Sequence, residues 1–440
     1  MVVTLLAVYA QILVYLNMPI VFTLAFLMFL IIELPIYISV FVGAIAYVIN
    51  KMRYIPDANF TPTVSCIVPC YSEKEGALRC VKSLVEQNYT GNIQIIAIVD
   101  GSVQNKITYD ILIQYLNSIK HTMKSQNREL HVIGKVERQG RVSSLNLGFY
   151  LSKNEIIFAL DADNLIHEDM IATATQNFRD PDIVAGTGTL FVANQNATLV
   201  TIMQSIEYNV GICLGRTGLG ALGVLNNISG AFGIFRRAVL AEVGAWDAGT
   251  AEDLDLTMRL KKRIALHPHE KLFFDPLAIC YTDAPDTLKM FLNQRLRWNG
   301  DLGYLYLRKR WNLFYYNLMG WKNTVYTAWY GILHQIVCPF LIFAYTIFFG
   351  LWDTQRFIVV SLAVYVFYYI LFAIFYGLYW FMISPRKAND AWLFLFSPIY
   401  PIFTYICRLW DVVAHLNEAF RKGHLDSSMA PKHILKRGKF

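Results

Sequence analysis

Charge is the first thing this sequence lacks. Only 16% of its 440 residues are Asp, Glu, Lys or Arg and 55% are hydrophobic, whereas ordinary soluble domains carry roughly 25% charged residues. That balance excludes a wholly water-soluble protein. The shortage is local. Glu33 is the only charged residue among positions 1–50, and Asp353 and Arg356 are the only two between Asn323 and Ser384. Uncharged apolar runs this long mark membrane-spanning helices. They predict two helices within residues 1–50, punctuated near Asn17 to Pro19 and at Pro35, and two more over 324–352 and 357–383. No Lys or Arg precedes the first apolar run and no small-residue cleavage site follows it, so a cleaved secretory signal is not expected.

Other absences narrow the field further. The seven cysteines (Cys66, Cys70, Cys80, Cys213, Cys280, Cys338, Cys407) form no paired CxxC pattern, which argues against a disulfide framework and leaves them as reduced core thiols. Gly218-Leu-Gly-Ala-Leu-Gly223 matches the dinucleotide fingerprint in spelling, yet it follows no strand-like run, so no nicotinamide or flavin cofactor is expected there. His267 and His269 flank Pro268 without thiols or carboxylates at ligand spacing and read as loop. No internal repeat or low-complexity tract is present.

What is present is a charged stretch, residues 51–322, set between the two apolar zones. Lys51 and Arg53 follow the second helix, Arg308, Lys309 and Arg310 precede the third, and Arg386 and Lys387 follow the fourth. Short flanks rich in Lys and Arg stay cytoplasmic, which predicts a cytosolic soluble domain. The Asn-x-Ser/Thr sequences at Asn59, Asn88, Asn196 and Asn227 then face the wrong compartment for glycosylation. Residues 391–413 are apolar but interrupted by Pro398 and Pro401, consistent with a span or a re-entrant hairpin. The basic tail (Arg421, Lys422, Lys432, Lys436, Arg437, Lys439) favours the hairpin and a cytosolic end. The net charge of +7 comes largely from these flanks and the tail, so its expected partner is the lipid bilayer and not nucleic acid.

Within the charged stretch, Val64–Val68 is a short β-branched run ended by Pro69, and 74–88 has helical spacing through Ala77, Val81 and Leu84. Ile93–Val99 and Ile107–Met123 repeat the strand-then-helix order, and Leu130–Lys135 and Glu155–Leu160 are further strands. Alternation of this kind implies a mostly parallel, Rossmann-like sheet that binds its ligand beyond the strand C-termini, where Pro69, Asp100 and Asp161 stand. Asp161 and Asp163, alternate residues after a buried strand, suit Mg2+ or Mn2+ shared with a nucleotide diphosphate. Asp100 suits a nucleoside, and Ala251-Glu-Asp-Leu-Asp255 offers a general base. Each is also ordinary turn or helix-start chemistry. Gln294-Arg-Leu-Arg-Trp298 pairs bidentate phosphate donors with a flat aromatic face for a sugar, with an interfacial anchor before the membrane zone as the lesser alternative.

Jointly, Pro69-Cys-Tyr-Ser-Glu73, Asp100, Asp161-Ala-Asp163, Glu252-Asp253 and Gln294-x-x-Arg-Trp298 resemble the membrane-integrated family 2 glycosyltransferases, over about Val64 to Trp298. The chain looks like the processive polysaccharide synthases, which include cellulose, hyaluronan and chitin synthases. With Phe274-Asp-Pro276 and Pro285-Asp-Thr-Leu288 it is most similar to bacterial poly-β-1,6-N-acetylglucosamine synthases. Arg141, where such enzymes usually have Lys, and Asn299-Gly-Asp301, where small residues often follow the Trp, depart from the pattern and leave the sugar open.

The resemblance implies an α/β GT-A domain over 51–303, interfacial amphipathic helices over 304–322, membrane helices over 1–50 and 323–384, a further membrane segment over 385–415 and a basic cytosolic tail over 416–440. It implies a UDP-sugar donor held by Pro69, Tyr71, Glu73, Asp100, Arg141, Asp161, Gln294 and Arg297. Asp161 and Asp163 would hold Mg2+ or Mn2+, Asp253 with Glu252 would be catalytic, and Trp298 with Asp253 would bind the acceptor, a growing polysaccharide. It further implies a multi-pass protein of the cell membrane, with room for a small membrane accessory subunit. A cellulose or hyaluronan-type synthase, or a single-addition enzyme acting on a polyprenyl-phosphate lipid, are the competing expectations. A tethered oxidoreductase would need glycines where Pro69-Cys-Tyr-Ser stands, and a non-catalytic scaffold would not need the intact acidic set.

Overall fold

A computed structural model describes residues 26–425 apart from 124, 125, 248 and 353. The first of the two expected N-terminal helices, Asp353, and Lys432, Lys436, Arg437 and Lys439 of the tail lie outside the described residues. The chain enters on α1 (Phe26–Met52), long and apolar enough to cross a membrane. Pro35 lies inside α1 and does not end it. It follows a π-helical turn over Phe29–Glu33, the kind of local adjustment that accommodates a residue without a backbone N–H.

The domain that follows is built on one eight-stranded sheet in the order β3-β2-β1-β4-β7-β6-β8-β5. Its first half consists of β1 (Val64–Cys70), α2 (Glu75–Val85), β2 (Ile93–Val99), α3 (Lys106–Met123), β3 (Arg128–Gly134), α4 (Arg141–Leu151) and β4 (Ile156–Leu160). These strands pair in parallel, Val64 with Ile93 and Ile156, and Ile93 with Arg128. Every side chain of β2 and β4 is buried, because helices on both faces leave no wet side to the sheet. The second half adds β5 (Leu165–Ile166), α5 (Met170–Gln176), β6 (Ile183–Val192), α6 (Leu199–Glu207), a π-helical segment Tyr208–Leu214, α7 (Gly215–Ala221), β7 (Phe232–Arg236), α8 (Arg237–Glu242), α9 (Glu252–Leu266) and β8 (Lys271–Thr282). β7 runs antiparallel between β4 and β6, and β8 pairs parallel with β6. The sheet is thus mixed, with its parallel part where alternation predicted it.

The glycines of 218–223 serve packing. A Cβ on Gly43 would stand 2.0 Å from the Gly218 carbonyl oxygen, and one on Gly218 would stand 2.4 Å from that of Val40, so α7 lies backbone against backbone on α1. The seven cysteines are free thiols.

Beyond the sheet, α10 (Leu288–Tyr304) carries Gln294 to Trp298 in mid-helix. Over 304–322 the chain forms short helical pieces, Leu305–Lys309 (π), Trp311–Phe314 (3-10) and Tyr316–Met319 (α), in place of long helices. Asp255 is the reason. It is fully buried on α9 and draws in Lys309 at 3.2 Å and Arg310 at 2.6 Å, bending this stretch onto the domain. Two more helices of spanning length, α11 (Trp321–Leu351) and α12 (Phe357–Ile383), follow close to their expected bounds. The segment with Pro398 and Pro401 is a bent pair, α13 (Lys387–Phe396) and α14 (Tyr400–Arg421), at 78°. Helix α14 runs to Arg421, past the expected start of the tail at 416.

Candidate active site

Four strand or helix ends converge beyond the parallel part of the sheet. After β1, Glu73 Oε2 accepts hydrogen bonds from the backbone N–H of Tyr71 (2.5 Å) and Ser72 (3.0 Å), folding the loop onto the start of α2. Burial raises the Glu73 pKa. The Tyr71 ring carries the Arg138 guanidinium 4.2 Å from its centroid, and Pro69 lies within β1 itself.

After β2, Asp100 is nearly sealed from solvent. It accepts from Gln139 N (2.9 Å), Gly140 N (2.7 Å) and Lys135 Nζ (2.7 Å). Gly140 has φ 93°, a left-handed value that only glycine adopts without strain, and it precedes Arg141, the first residue of α4. Asp100 therefore fixes the loop that delivers Arg141, a positioning role beside the nucleoside contact expected of it.

Arg141 is the hub. Its Nε and Nη2 donate to Asp161 Oδ1 at 3.1 and 2.6 Å, its Nη2 also donates to the Gly230 carbonyl at 2.7 Å, and its Nη1 pairs with Glu252. Burial disfavours the cation, but Asp161 and Glu252 outweigh it and the pKa rises. An Arg fork makes these three attachments at once, where a Lys could not match their geometry. Asp163 is different: burial, then the neighbouring charges of Asp161 and Glu73, push its carboxyl up to about 7.

At the start of α9, Ala251 takes the left-handed conformation (φ 54°) and Glu252 is buried against Arg141. Asp253 Oδ2 accepts from Asn227 Nδ2 (3.0 Å) and Gly230 N (2.9 Å), and Oδ1 from Leu254 N (2.7 Å). Its carboxylate is thereby aimed by the 226–230 loop, whose role the sequence did not reveal; Asn227 had stood out only as a glycosylation sequence.

On α10, Trp298 is 39% exposed. The guanidinium over its face, 5.0 Å from the ring, is that of Arg295, which also pairs with Glu207 at 2.5 Å. Arg297 makes no hydrogen bond or ion pair among the described residues, and Gln294 Oε1 is buried without a partner. Asn299 hydrogen-bonds Asp411 of α14 and Gly300 packs on the Ala414 carbonyl. Arg295 and Asn299, with Glu207, Tyr330, His334, Tyr400 and Arg408, line a cavity of about 1350 Å³ that continues among α1, α11, α12 and α14.

Of the residues expected from sequence to act together, Arg141 joins Asp161 to Glu252 directly and reaches Asp253 through the shared Gly230, while Asp100 fixes the loop that delivers Arg141. Among the described residues no group of three or more His, Cys, Asp or Glu side chains is arranged to hold a metal ion. Two carboxylates completed by substrate phosphates are nonetheless a fitting set for a hard dication, and of the two it is Asp161 to which Arg141 donates.

This arrangement defines a class. The fold is the GT-A glycosyltransferase fold, shared with a mannosyltransferase from Pyrobaculum calidifontis solved in complex with GDP-mannose and Mn2+, at TM-score 0.57 and 17% identity over 88% of this chain and 99% of that one. Residues 62–300 match the family described as glycosyltransferase like family 2, and the chain belongs to that family. Among curated relatives it is similar to the poly-β-1,6-N-acetyl-D-glucosamine synthases of Staphylococcus aureus (strain COL), 29% identical over 60% of this chain and 62% of theirs, and of Staphylococcus epidermidis, 26% identical over 71% and 74%. The alignment to the S. aureus relative therefore spans less than two thirds of its length.

Proposed function

We propose that the protein is a processive, inverting glycosyltransferase that polymerises UDP-N-acetylglucosamine into a β-linked polysaccharide and passes it through its own membrane helices. One observation carries this reading. Helix α10 packs along α14, with Asn299 bonded to Asp411 and Gly300 against the Ala414 carbonyl, and three of its residues, Arg295, Asn299 and Leu302, line the cavity among the membrane helices. An enzyme that adds one sugar to a lipid needs no enclosed path leading away from its acceptor platform.

In this reading Tyr71, Glu73 and Asp100 shape the nucleoside site, and Asp161 and Asp163 hold Mg2+ or Mn2+, which would offset the diphosphate charge. Asp253 takes the proton of the acceptor hydroxyl as that oxygen attacks the anomeric carbon from the face opposite the departing UDP. Arg141 and the unpaired Arg297 stabilise negative charge growing on the leaving diphosphate, and Trp298 stacks on the terminal acceptor sugar. The basic flanks Lys51, Arg53, Arg386 and Lys387 support a catalytic domain on the cytosolic side of the cell membrane.

Purified protein incubated with radiolabelled UDP-sugars one at a time tests this. UDP-N-acetylglucosamine alone is expected to give long product, and chelator in excess is expected to abolish it. Preference for another UDP-sugar would reassign the substrate. Addition of a single sugar to a polyprenyl phosphate would replace the reading altogether.

A further inference from the structure

Glu33 is the one charged residue of the first apolar zone, and the fold turns it inward. It is 5% exposed, ends the π-helical turn Phe29–Glu33 of α1, and lines the cavity among the membrane helices. Trp329 Nε1 donates to the Ile32 carbonyl at 3.0 Å and so packs a second π-helical segment, Ala328–Val337 of α11, onto that turn. Tyr330, His334 and Gln335 of this segment also line the cavity, and π-helical irregularities of this kind are frequent at functional sites. Glu33 Oε2 accepts from Tyr368 Oη of α12 at 2.7 Å, and Oε1 from Cys338 Sγ of α11 at 3.8 Å. Both partners are neutral donors. The other charges of the lining are committed: Arg295 to Glu207 at 2.5 Å, and Arg408 to His334 Nε2 at 2.7 Å and to Asp411 at 3.8 Å. Arg has no acceptor atom, so His334 Nε2 accepts that bond and the ring carries no charge. Three carboxylates thus share the lining with two guanidiniums, and Glu33 makes no ion pair among the described residues. An ionisable side chain is expensive inside a membrane, and one that faces a cavity there marks the way of a ligand.

We propose that Glu33 is a charge-selecting residue of the membrane path: it accepts hydrogen bonds from the hydroxyl and N–H groups of a chain of neutral or cationic sugars and excludes a chain that carries uronates. This role depends on the polymerase reading above, in which the cavity is the path of the product. The rings of Tyr330, Tyr368 and Tyr400 in the same lining offer flat faces to sugars of any charge, so the carboxylate is what tells one chain from another. A second negative charge beside Glu33, in surroundings of low dielectric and with no cation to offset it, is strongly repelled.

The test measures binding of β-linked oligosaccharides of equal length to purified full-length protein: an N-acetylglucosamine oligomer, its de-N-acetylated cationic form, and one in which every second sugar is a uronate. The wild type should bind the uronate oligomer more weakly than the neutral one by on the order of 10- to 100-fold, the scale of a like-charge contact. Glu33→Gln, which keeps the shape and can still accept from Tyr368, should narrow that gap by strengthening the uronate oligomer, and should weaken the cationic one. Glu33→Asp, which keeps the charge, should rank the three as the wild type does. A measurement on the wild type alone decides the matter if the Gln variant fails to fold. A water-soluble carbodiimide joins an amine to a carboxylate only where the two touch, and with the cationic oligomer it should form an amide at Glu33, read by mass spectrometry of the peptide that holds it. Coupling confined to other carboxylates, or a ranking that Glu33→Gln leaves unchanged, would overturn the role while leaving the polymerase reading intact. A wild type that adds only a single sugar to a lipid would sink both.

Discussion

At the scale of single residues, the chemistry rests on how much of each carboxylate is already committed. Asp253 is aimed by Asn227 and the Gly230 N–H, an arrangement that orients a base without neutralising it. Asp253→Asn is expected to leave UDP affinity nearly intact and to lower turnover by ~10²–10⁴-fold, the usual contribution of a general base. A variant that loses UDP affinity but keeps turnover would move Asp253 into the donor site. Lys261 tests a different charge. It is buried on α9 with its Nζ donating to Thr327 Oγ1 at 3.1 Å, and burial pushes its pKa down from 10.5 to about 7. Across that interval the unfolded chain binds more protons than the folded one, so this group makes stability rise with pH. Lys261→Met should therefore raise the melting temperature more at pH 7 than at pH 10, read by thermal unfolding in detergent. Equal gains at both pH values would show that Lys261 does not titrate in this window.

At the scale of elements, legibility followed burial. The parallel strands β1, β2 and β4 announced themselves as apolar runs because both faces of that part of the sheet are covered, whereas β3, the half-buried edge strand, carries Arg128, Glu129 and His131. β6 (Ile183–Val192) did not, since glycines and threonines at Gly186, Thr187, Gly188 and Thr189 dilute its apolar signal and the strand pairs with β7 and β8, far off in sequence. Asp161, Asp163 and Asp253 were legible as acidic residues at strand or helix ends. The loop that aims Asp253 was not, because Asn227 and Gly230 have no spacing signature and act only through contacts made in three dimensions. The glycine-rich helix α7 yields a prediction about packing. Gly218→Ala forces α7 away from α1, since its Cβ has the Val40 carbonyl oxygen at 2.4 Å, and overpacking of this kind costs roughly 1–3 kcal/mol. Gly377→Ala on α12 meets nothing within 4 Å and serves as the control. A lower melting temperature for the first variant alone supports the helix contact; equal stability of the two contradicts it.

At the scale of the whole molecule, the domain and the membrane helices form one device through few joints: α7 on α1, α10 on α14, and the buried Asp390 between them. Asp390 accepts from Tyr379 Oη (2.6 Å), Ser384 Oγ (2.7 Å) and Asn209 Nδ2 (3.2 Å), tying the end of α12 to the π-helical segment Tyr208–Leu214. Under the proposed function, such joints would hold Trp298 at a fixed height over the cavity and give each added sugar one direction in which to move. The measurement that bears most directly on this account is synthesis by protein reconstituted into sealed vesicles with its catalytic domain outward. With radiolabelled UDP-N-acetylglucosamine outside, the account predicts that label accumulates as polymer inside the lumen, resistant to glycosidase added from outside until detergent opens the vesicles. Polymer that stays wholly degradable from outside, or label extracted as a single sugar on a lipid, would contradict it.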